Sequence, residues 1–424
     1  MFTVTIALAT ISLLIWLYLT VVRGAFWRLR LFDDDQASHP PPAIWPPVVA
    51  IVPARNEAET IGQTIAALLQ QDYPGQFSVI VVDDHSEDAT SQIAKQTAKE
   101  NVAECRVQIH QSSTLPPGWT GKLWALNHGI SLACASTSSY PDLTISNMSS
   151  RAERGTCFSP VDDTLTTNAN DDPSYFWFTD ADVVHAPDTL RRLVSRAEQD
   201  KLDLTSLMVL LRAKTLPERM LIPAFLFFFL KLYPPRWIAN PKSRTAGAAG
   251  GCVLLRREAL QRIGGLRAIR SEVIDDCALA RAVKRTGGPI WMGVTRASRS
   301  LRAYNTFAEI RDMIARTAFT QLGYSAPLLI GTLAGLFLTY IAPVALVFTH
   351  PAAARILALA AWLLMSMLFL PTVRFYRLWP FWAPLLPLTA LYYAYATGLS
   401  AARYWLNRGA QWKGRSQAPR HFNA

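Results

Sequence analysis

The chain reads as an α/β protein with a mainly parallel sheet, carried by one N-terminal and two to three C-terminal transmembrane helices. Three observations predict this. Between residues 47 and 321, short β-branched runs alternate with helical patterns. Acidic groups follow several of those runs, at the strand ends where ligands of such sheets gather. Uncharged stretches long enough to cross a bilayer lie at both ends of the chain.

Composition narrows the class further. Of 424 residues, 50% are apolar and 17% charged, and the mean hydropathy is +0.15. These values exclude a disordered, collagen-like or coiled-coil chain. Lys and Arg number 42 against 31 Asp and Glu, a net charge of +11. Beside so much apolar sequence, the excess points to an anionic membrane face or phosphate-bearing ligands, not to nucleic acid. Cys105, Cys134, Cys157, Cys252 and Cys277 form no CxxC pair. They read as reduced, cytosol-facing thiols.

Residues 1–22 carry no charge, and Arg23, Arg28 and Arg30 follow. A signal peptide would place its basic residues before the apolar run, so this segment is expected to be a retained anchor. Val48–Pro53 is the first strand; Asn56 then offers an N-cap and Glu59 a capping box for a helix bearing Ile61, Ile65, Leu68 and Leu69. Phe77–Val82 is the next strand, ending at Asp83-Asp84-His85-Ser86, with a helix from about Ala89. Residues 136–173, rich in Ser, Thr, Asn and Asp, read as a flexible insertion. Tyr175–Thr179 is a strand ending at Asp180-Ala181-Asp182, and Pro187 opens a helix with Leu190, Leu193, Val194 and Ala197 on one face.

Residues 220–233 are short for a span and suit an interfacial helix in the headgroup plane, a buried core helix being the alternative. Beyond residue 321, the region 326–402 holds uncharged runs at Ala326–Thr349, Ile356–Val373 and Leu378–Ala402. The last contains Pro387, Tyr392, Tyr393 and Tyr395, which suits a spanning, re-entrant or interfacial segment alike. The basic tail, 403–424, would break the positive-inside tendency if that run crossed, so its side stays open.

Several groups have the makings of a site. Asp180 and Asp182 can approach one divalent cation and leave positions for phosphate oxygens, as Mg²⁺ or Mn²⁺ require; a capped turn would look the same. Asp84 can accept hydrogen bonds from a ribose or a base, or simply cap a helix. Lys122 ends the Gly-bearing segment 118–122 and can neutralise a diphosphate, although the spacing is not that of a Walker loop. Gly247, Gly250 and Gly251 let backbone approach a ligand closely, or form a flexible connector. Asp275-Asp276 opens a helix, where the dipole favours ionised carboxylates, and such a group in a cleft can act as a general base.

In this order, the segments VPARNE (52–57), VVDDHS (81–86), GWTGKLWALNHG (118–129), FTDAD (178–182), GAAGGCVLLRRE (247–258) and IDDCALARAVK (274–284) resemble family 2 glycosyltransferases of the GT-A fold. The anchor, the WTGK and IDDCALA segments and QWKGR (411–415) look most like the hopene-associated glycosyltransferases of the HpnB type. The resemblance implies that Pro53, Ala54, Asn56, Glu57 and Asp84 hold the nucleotide and that Lys122 lies by the uridine or diphosphate. It assigns Asp180 and Asp182 to the ribose and metal, and Asp276 to the catalytic base. Two departures stand out: His85 replaces a common Gly, and MIART (313–317) replaces the QxxRW box of processive members, keeping Arg316 as a diphosphate contact.

The implied activity is inverting, metal-dependent transfer of a sugar from a nucleotide diphosphate sugar, a UDP-sugar by resemblance, to a lipid acceptor. The implied place is the bacterial inner membrane, multi-pass with a cytosolic catalytic domain, in hopanoid metabolism. A ceramide or polyprenyl-phosphate acceptor, a nucleotidyltransferase, and a non-catalytic scaffold are the rival readings.

Overall fold

The computed structural model describes residues 2–34, 39–101, 105–135, 172–406, 411–412 and 415–416. Cys157, nearly all of the 136–173 insertion and most of the 403–424 tail lie outside the described residues. Eight strands form one sheet: β1 (Val48–Ala54), β2 (Phe77–Asp83), β3 (Val107–Gln111), β4 (Tyr175–Thr179), β5 (Val183–Val184), β6 (Leu204–Leu210), β7 (Cys252–Arg256) and β8 (Ile290–Ser300). Their order is β3-β2-β1-β4-β7-β6-β8-β5. β7 runs antiparallel to both neighbours and β5 to β8; the remaining pairings are parallel. The expected mainly parallel α/β architecture is therefore present.

Helix α1 (Phe2–Val21) precedes the sheet. Threaded between strands are α2 (Ile61–Leu69), α3 (Thr90–Glu100), α4 (Gly121–Ala135), α5 (Thr189–Gln199), α6 (Leu216–Leu232), α7 (Pro235–Ala239), α8 (Arg257–Arg262) and α9 (Asp275–Arg285). After it come α10 (Phe307–Gln321), α11 (Ala326–Leu336), α12 (Ala342–Leu346), α13 (Ala352–Phe375) and α14 (Leu386–Trp405).

Alternation along the strands sends side chains to two cores. Tyr175 and Trp177 of β4 join Val48, Val52, Ile65 and Leu193 on one face. Phe176 and Phe178 join Ile51, Leu126, Leu279 and Phe227 on the other. Burying aromatic and branched side chains of this size contributes about 1.5–3 kcal/mol each. The second core continues without a break into Trp16, Phe369 and Tyr393 of the apolar helices. Helix α6 makes that connection. Thr215 and Glu218 form a capping box at its start, and Phe227 meets Phe26 and Phe369 with ring centroids 5.2 Å apart in each case. Residues 220–233 are thus helical to Leu232, with most of their apolar side chains buried.

Among the described residues, three helical stretches are long and apolar enough to cross a membrane: Phe2–Val21, Ala326–Leu346 and Ala352–Phe375. The third C-terminal run forms α14, which lies along α10 and α6. Tyr393 OH donates to Leu221 O (3.0 Å), Ser400 Oγ accepts from Phe319 N (3.0 Å), and Arg403 pairs with Asp312 (2.7 Å).

Two local expectations differ from what forms. Asn56 is not an N-cap, and Glu59 completes no capping box. Helix α2 starts at Ile61 after Thr60, with no side-chain cap bond. Asn56 instead adopts φ 51° and its Oδ1 accepts from Glu87 N at 2.8 Å, because the β1 and β2 loops are laced together. Pro187 lies just outside α5, which begins at Thr189. His85 takes φ 54°, the left-handed conformation that a Gly adopts at no steric cost and that His tolerates better than most residues.

Candidate active site

The carboxyl ends of β1 and β4, the start of β7 and the first turns of α4 and α9 enclose a small cleft. Lys122, Asp180, Asp275, Asp276 and Gly250 supply its polar wall, while Pro53, Leu266 and Ile269 contribute apolar surface.

Each group arrives by a simple local device. Lys122 stands in the first turn of α4, and its Nζ lies 2.8 Å from Asp180 Oδ1 and 3.4 Å from Asp275 Oδ2. Asp276 opens α9, with Oδ2 accepting from Gly250 N (2.9 Å) and Oδ1 from Cys277 N (2.7 Å). Gly250 lies close against both side chains. A Cβ there would sit 3.2 Å from Lys122 Nζ and 3.4 Å from Asp276 Oδ2, and one on Gly251 3.8 Å from Asp180 Oδ2. Asp276, Lys122 and Asp180 thus pack around the Gly250-Gly251 backbone, which leaves them the most room. Thr179 Oγ1 braces this arrangement by donating to Gly251 O (3.1 Å).

The second aspartate is held from another side. Asp182 Oδ2 accepts from Arg302 Nε (2.8 Å), while Arg302 Nη2 reaches Glu57 Oε1 (2.6 Å). Arg302 follows β8 and joins the β1 loop to the end of β4. Arg316, exposed on α10, makes no ion pair among the described residues, yet its charge acts on Asp180.

Electrostatics sort the carboxylates into two kinds. Burial would raise Asp180, but Lys122 above all, then Arg302 and Arg316, hold it below the usual range, so it stays ionised. Burial and the neighbouring Asp275 charge push Asp276 up to about 6, with Lys122 opposing. Burial alone would lower Lys122, but Asp180 and Asp275 hold it above the ordinary lysine range. One carboxylate is kept charged and another poised near neutrality, the division expected of a ligand-holding group and a base.

Of the residues singled out in the sequence, Pro53, Lys122, Asp180 and Asp276 line the cleft. Glu57 and Asp182 join them through Arg302. Ala54 and Asp84 are fully buried at the same edge of the sheet and do not line it. Asp84 N donates to Ala54 O (2.8 Å), and Ser112 Oγ donates to the Asp84 carboxylate (3.0 Å). Sequence reasoning missed Arg302 as a partner of this set, since a lone Arg after a strand carries no motif. Asp275 was visible only as half of a pair.

The sequence model of the family described as glycosyltransferase like family 2 matches residues 46–320. The chain belongs to that family. Its fold is also that of a solved glycosyltransferase. A mannosyltransferase from Pyrobaculum calidifontis, solved with GDP-Man and Mn²⁺, is similar at 17% identity and TM-score 0.54, over 94% of this chain and 99% of the other. Two more distant likenesses are glucosyl-3-phosphoglycerate synthase from Mycobacterium tuberculosis, with Mn²⁺ and UDP-Glc (16% identity, TM-score 0.37, 69% and 82% coverage), and residues 1–349 of S. aureus TarS with UDP-GlcNAc (14%, 0.37, 85% and 92%). No curated protein sequence matches the chain significantly.

Within a family 2 glycosyltransferase domain, the chemistry of the donor set admits a divalent cation. Among the described residues no group of three or more His, Cys, Asp or Glu could hold a metal unaided. Asp180 and Asp182 offer oxygens only, which fits a hard cation that completes its shell with water and phosphate oxygens.

Proposed function

We propose that the protein is a membrane-bound inverting glycosyltransferase that moves a sugar from a nucleotide diphosphate sugar to the hydroxyl of a lipid acceptor. The observation that carries this reading is the meeting of Lys122, Asp180 and Asp276 around Gly250. Asp180 and Asp182 would hold a Mg²⁺ or Mn²⁺ ion, which when bound offsets the charge of the diphosphate. Asn56 and Glu57 face the nucleotide from the β1 loop, with Ala54 and Asp84 buried behind them, and Lys122 and Arg316 supply fixed positive charge to the leaving diphosphate. Asp276 takes the acceptor's hydroxyl proton as that oxygen attacks the anomeric carbon from the face opposite the diphosphate, so configuration inverts in one step.

The apolar surroundings of the domain support a lipid acceptor. Three candidate spans and a continuous apolar core join the catalytic face to the bilayer side, and α6 brings buried apolar sequence between them. A hopanoid alcohol is the acceptor the sequence resemblance favours. In this reading α14 lies along α10 without crossing, the chain crosses three times, and the tail stays with the catalytic domain on the cytosolic side of a bacterial inner membrane.

Asp276→Asn tests the assignment. Transfer to lipid, followed by mass analysis of products from labelled nucleotide sugars, should fall by about 10²–10⁴-fold, while donor binding persists. Equal loss of both would remove Asp276 from the base role, and release of pyrophosphate in place of the nucleoside diphosphate would make the enzyme a nucleotidyltransferase.

A further inference from the structure

Arg302 uses both ends of its guanidinium on acidic groups that come from different loops. Nε meets Asp182 at the end of β4, and Nη2 meets Glu57 after β1. Its backbone is anchored on either side. Leu301 N donates to Asp182 O (2.7 Å), Tyr304 N donates to the buried carboxylate of Glu218 (2.8 Å), and Tyr304 O accepts from Thr215 Oγ1 (3.0 Å). Glu218 also accepts from Lys214 N, Thr215 N and Arg212. The Cα of Arg302 is therefore fixed, while its side chain remains 35% exposed at the rim.

Both aspartates of the triplet consequently already hold a cation, Asp180 through Lys122 and Asp182 through Arg302. A divalent ion arriving alone must compete with the guanidinium for Asp182 and leave Arg302 with Glu57 alone, beside a double positive charge. An ion arriving with a nucleoside diphosphate offers Arg302 a new anion of the planar, bidentate kind that guanidinium favours.

We propose that Arg302 couples cation binding to diphosphate binding: it is the resident counter-ion of Asp182 and Glu57 in the donor-free site and a ligand of the diphosphate in the loaded one. The inference rests on the donor site assigned above and adds a residue and a binding order to it.

The test uses the full-length protein in detergent, with Mn²⁺ and UDP as probes and unbound Mn²⁺ read by electron paramagnetic resonance. Wild-type protein should bind Mn²⁺ weakly alone and more tightly with UDP. In Arg302→Ala, Mn²⁺ alone should bind about tenfold more tightly and UDP at saturating Mn²⁺ about tenfold more weakly, within the range typical of coupled sites. Arg302→Lys, which keeps the charge without the fork, should fall between. Arg302→Gln replaces the alanine variant if thermal unfolding shows that the latter is not folded. Mn²⁺ affinity unchanged or weakened in the folded variant overturns the coupling while leaving the donor site standing. Wild-type protein that binds no UDP with Mn²⁺ overturns both.

Discussion

At the carboxyl end of β2, Asp83 accepts from both Ser86 N (3.1 Å) and Ser86 Oγ, three residues on, and Asp84 is covered by the Ser112 hydroxyl. At the carboxyl end of β4, Asp180 and Asp182 meet Lys122 from α4 and Arg302 from beyond β8. The two pairs look alike in sequence and occupy equivalent places on parallel strands. Their partners differ in kind. Ser86, three residues on, satisfies Asp83 and shapes its turn, and the Ser112 hydroxyl from the end of β3 reaches Asp84. Distant cations leave a set of charges that a metal ion and a diphosphate can enter and rearrange. A strand-end acidic pair is thus read by what the rest of the fold brings to it.

The sharpest way to break this contrast is at Lys122. Lys122→Met leaves Asp180, Asp275 and Asp276 close together without their cation. The Lys122–Asp180 pair is half-buried, so removing one partner should cost about 1–3 kcal/mol, between a surface pair and a fully buried one; the midpoint of denaturant unfolding should fall and donor binding should fall with it. A stability loss of about 1 kcal/mol or less, the scale of a surface ion pair, would place Lys122 outside the network.

The next effect belongs to Asp276 and depends on pH. Because burial and Asp275 raise this group to about 6, transfer should decline as pH drops through that value and the base becomes protonated. The sign for stability is opposite. A carboxyl raised from 3.8 to about 6 in the fold favours folding below the lower value, and that advantage is lost as pH rises through the upper one. Asp276→Asn should therefore be at least as stable as the wild type at pH 7–8, with the difference vanishing below about pH 4. A variant less stable at neutral pH would mean that the ionised carboxylate holds α9 in place through Gly250 and Cys277.

Much of this was legible in the sequence because it depends on local pattern. VVAIVP, FSVIVV and YFWFT are short, apolar and bounded by acidic turns, and each forms the expected strand, β1, β2 and β4. Lys122, Asp180 and Asp276 were visible as residues of the right type beside helix starts and strand ends. The capping box at Asn56 was not realised, because a cross-loop bond to Glu87 N outcompeted the local cap. Arg302 was hidden for a related reason. Its partners Asp182 and Glu57 lie far away in sequence, and only the closing of β8 against the sheet brings them together. The apolar runs showed their length but not their packing. The bonds from Tyr393 and Ser400 that lay α14 along α6 and α10 come from partners far away in sequence.

The smallest effect tests the other half of the contrast. If Asp83 serves only its turn, Asp83→Ala removes an acceptor from Ser86 N and Oγ and nothing from the cleft, whose lining excludes it. Loss of a cap-like bond of this kind costs about 1 kcal/mol. The turn also carries His85 at positive φ and the Ser86 hydroxyl that accepts from Asn56 N (3.0 Å), so a slightly looser β1 loop should appear as a modest rise in the KM for the donor. The kcat of transfer should stay where it is, because no charge near the reacting bond has changed. A fall in kcat comparable to that from Asp276→Asn would mean that the β2 pair takes part in chemistry after all, and the distinction between locally and distantly satisfied carboxylates would fail in this fold.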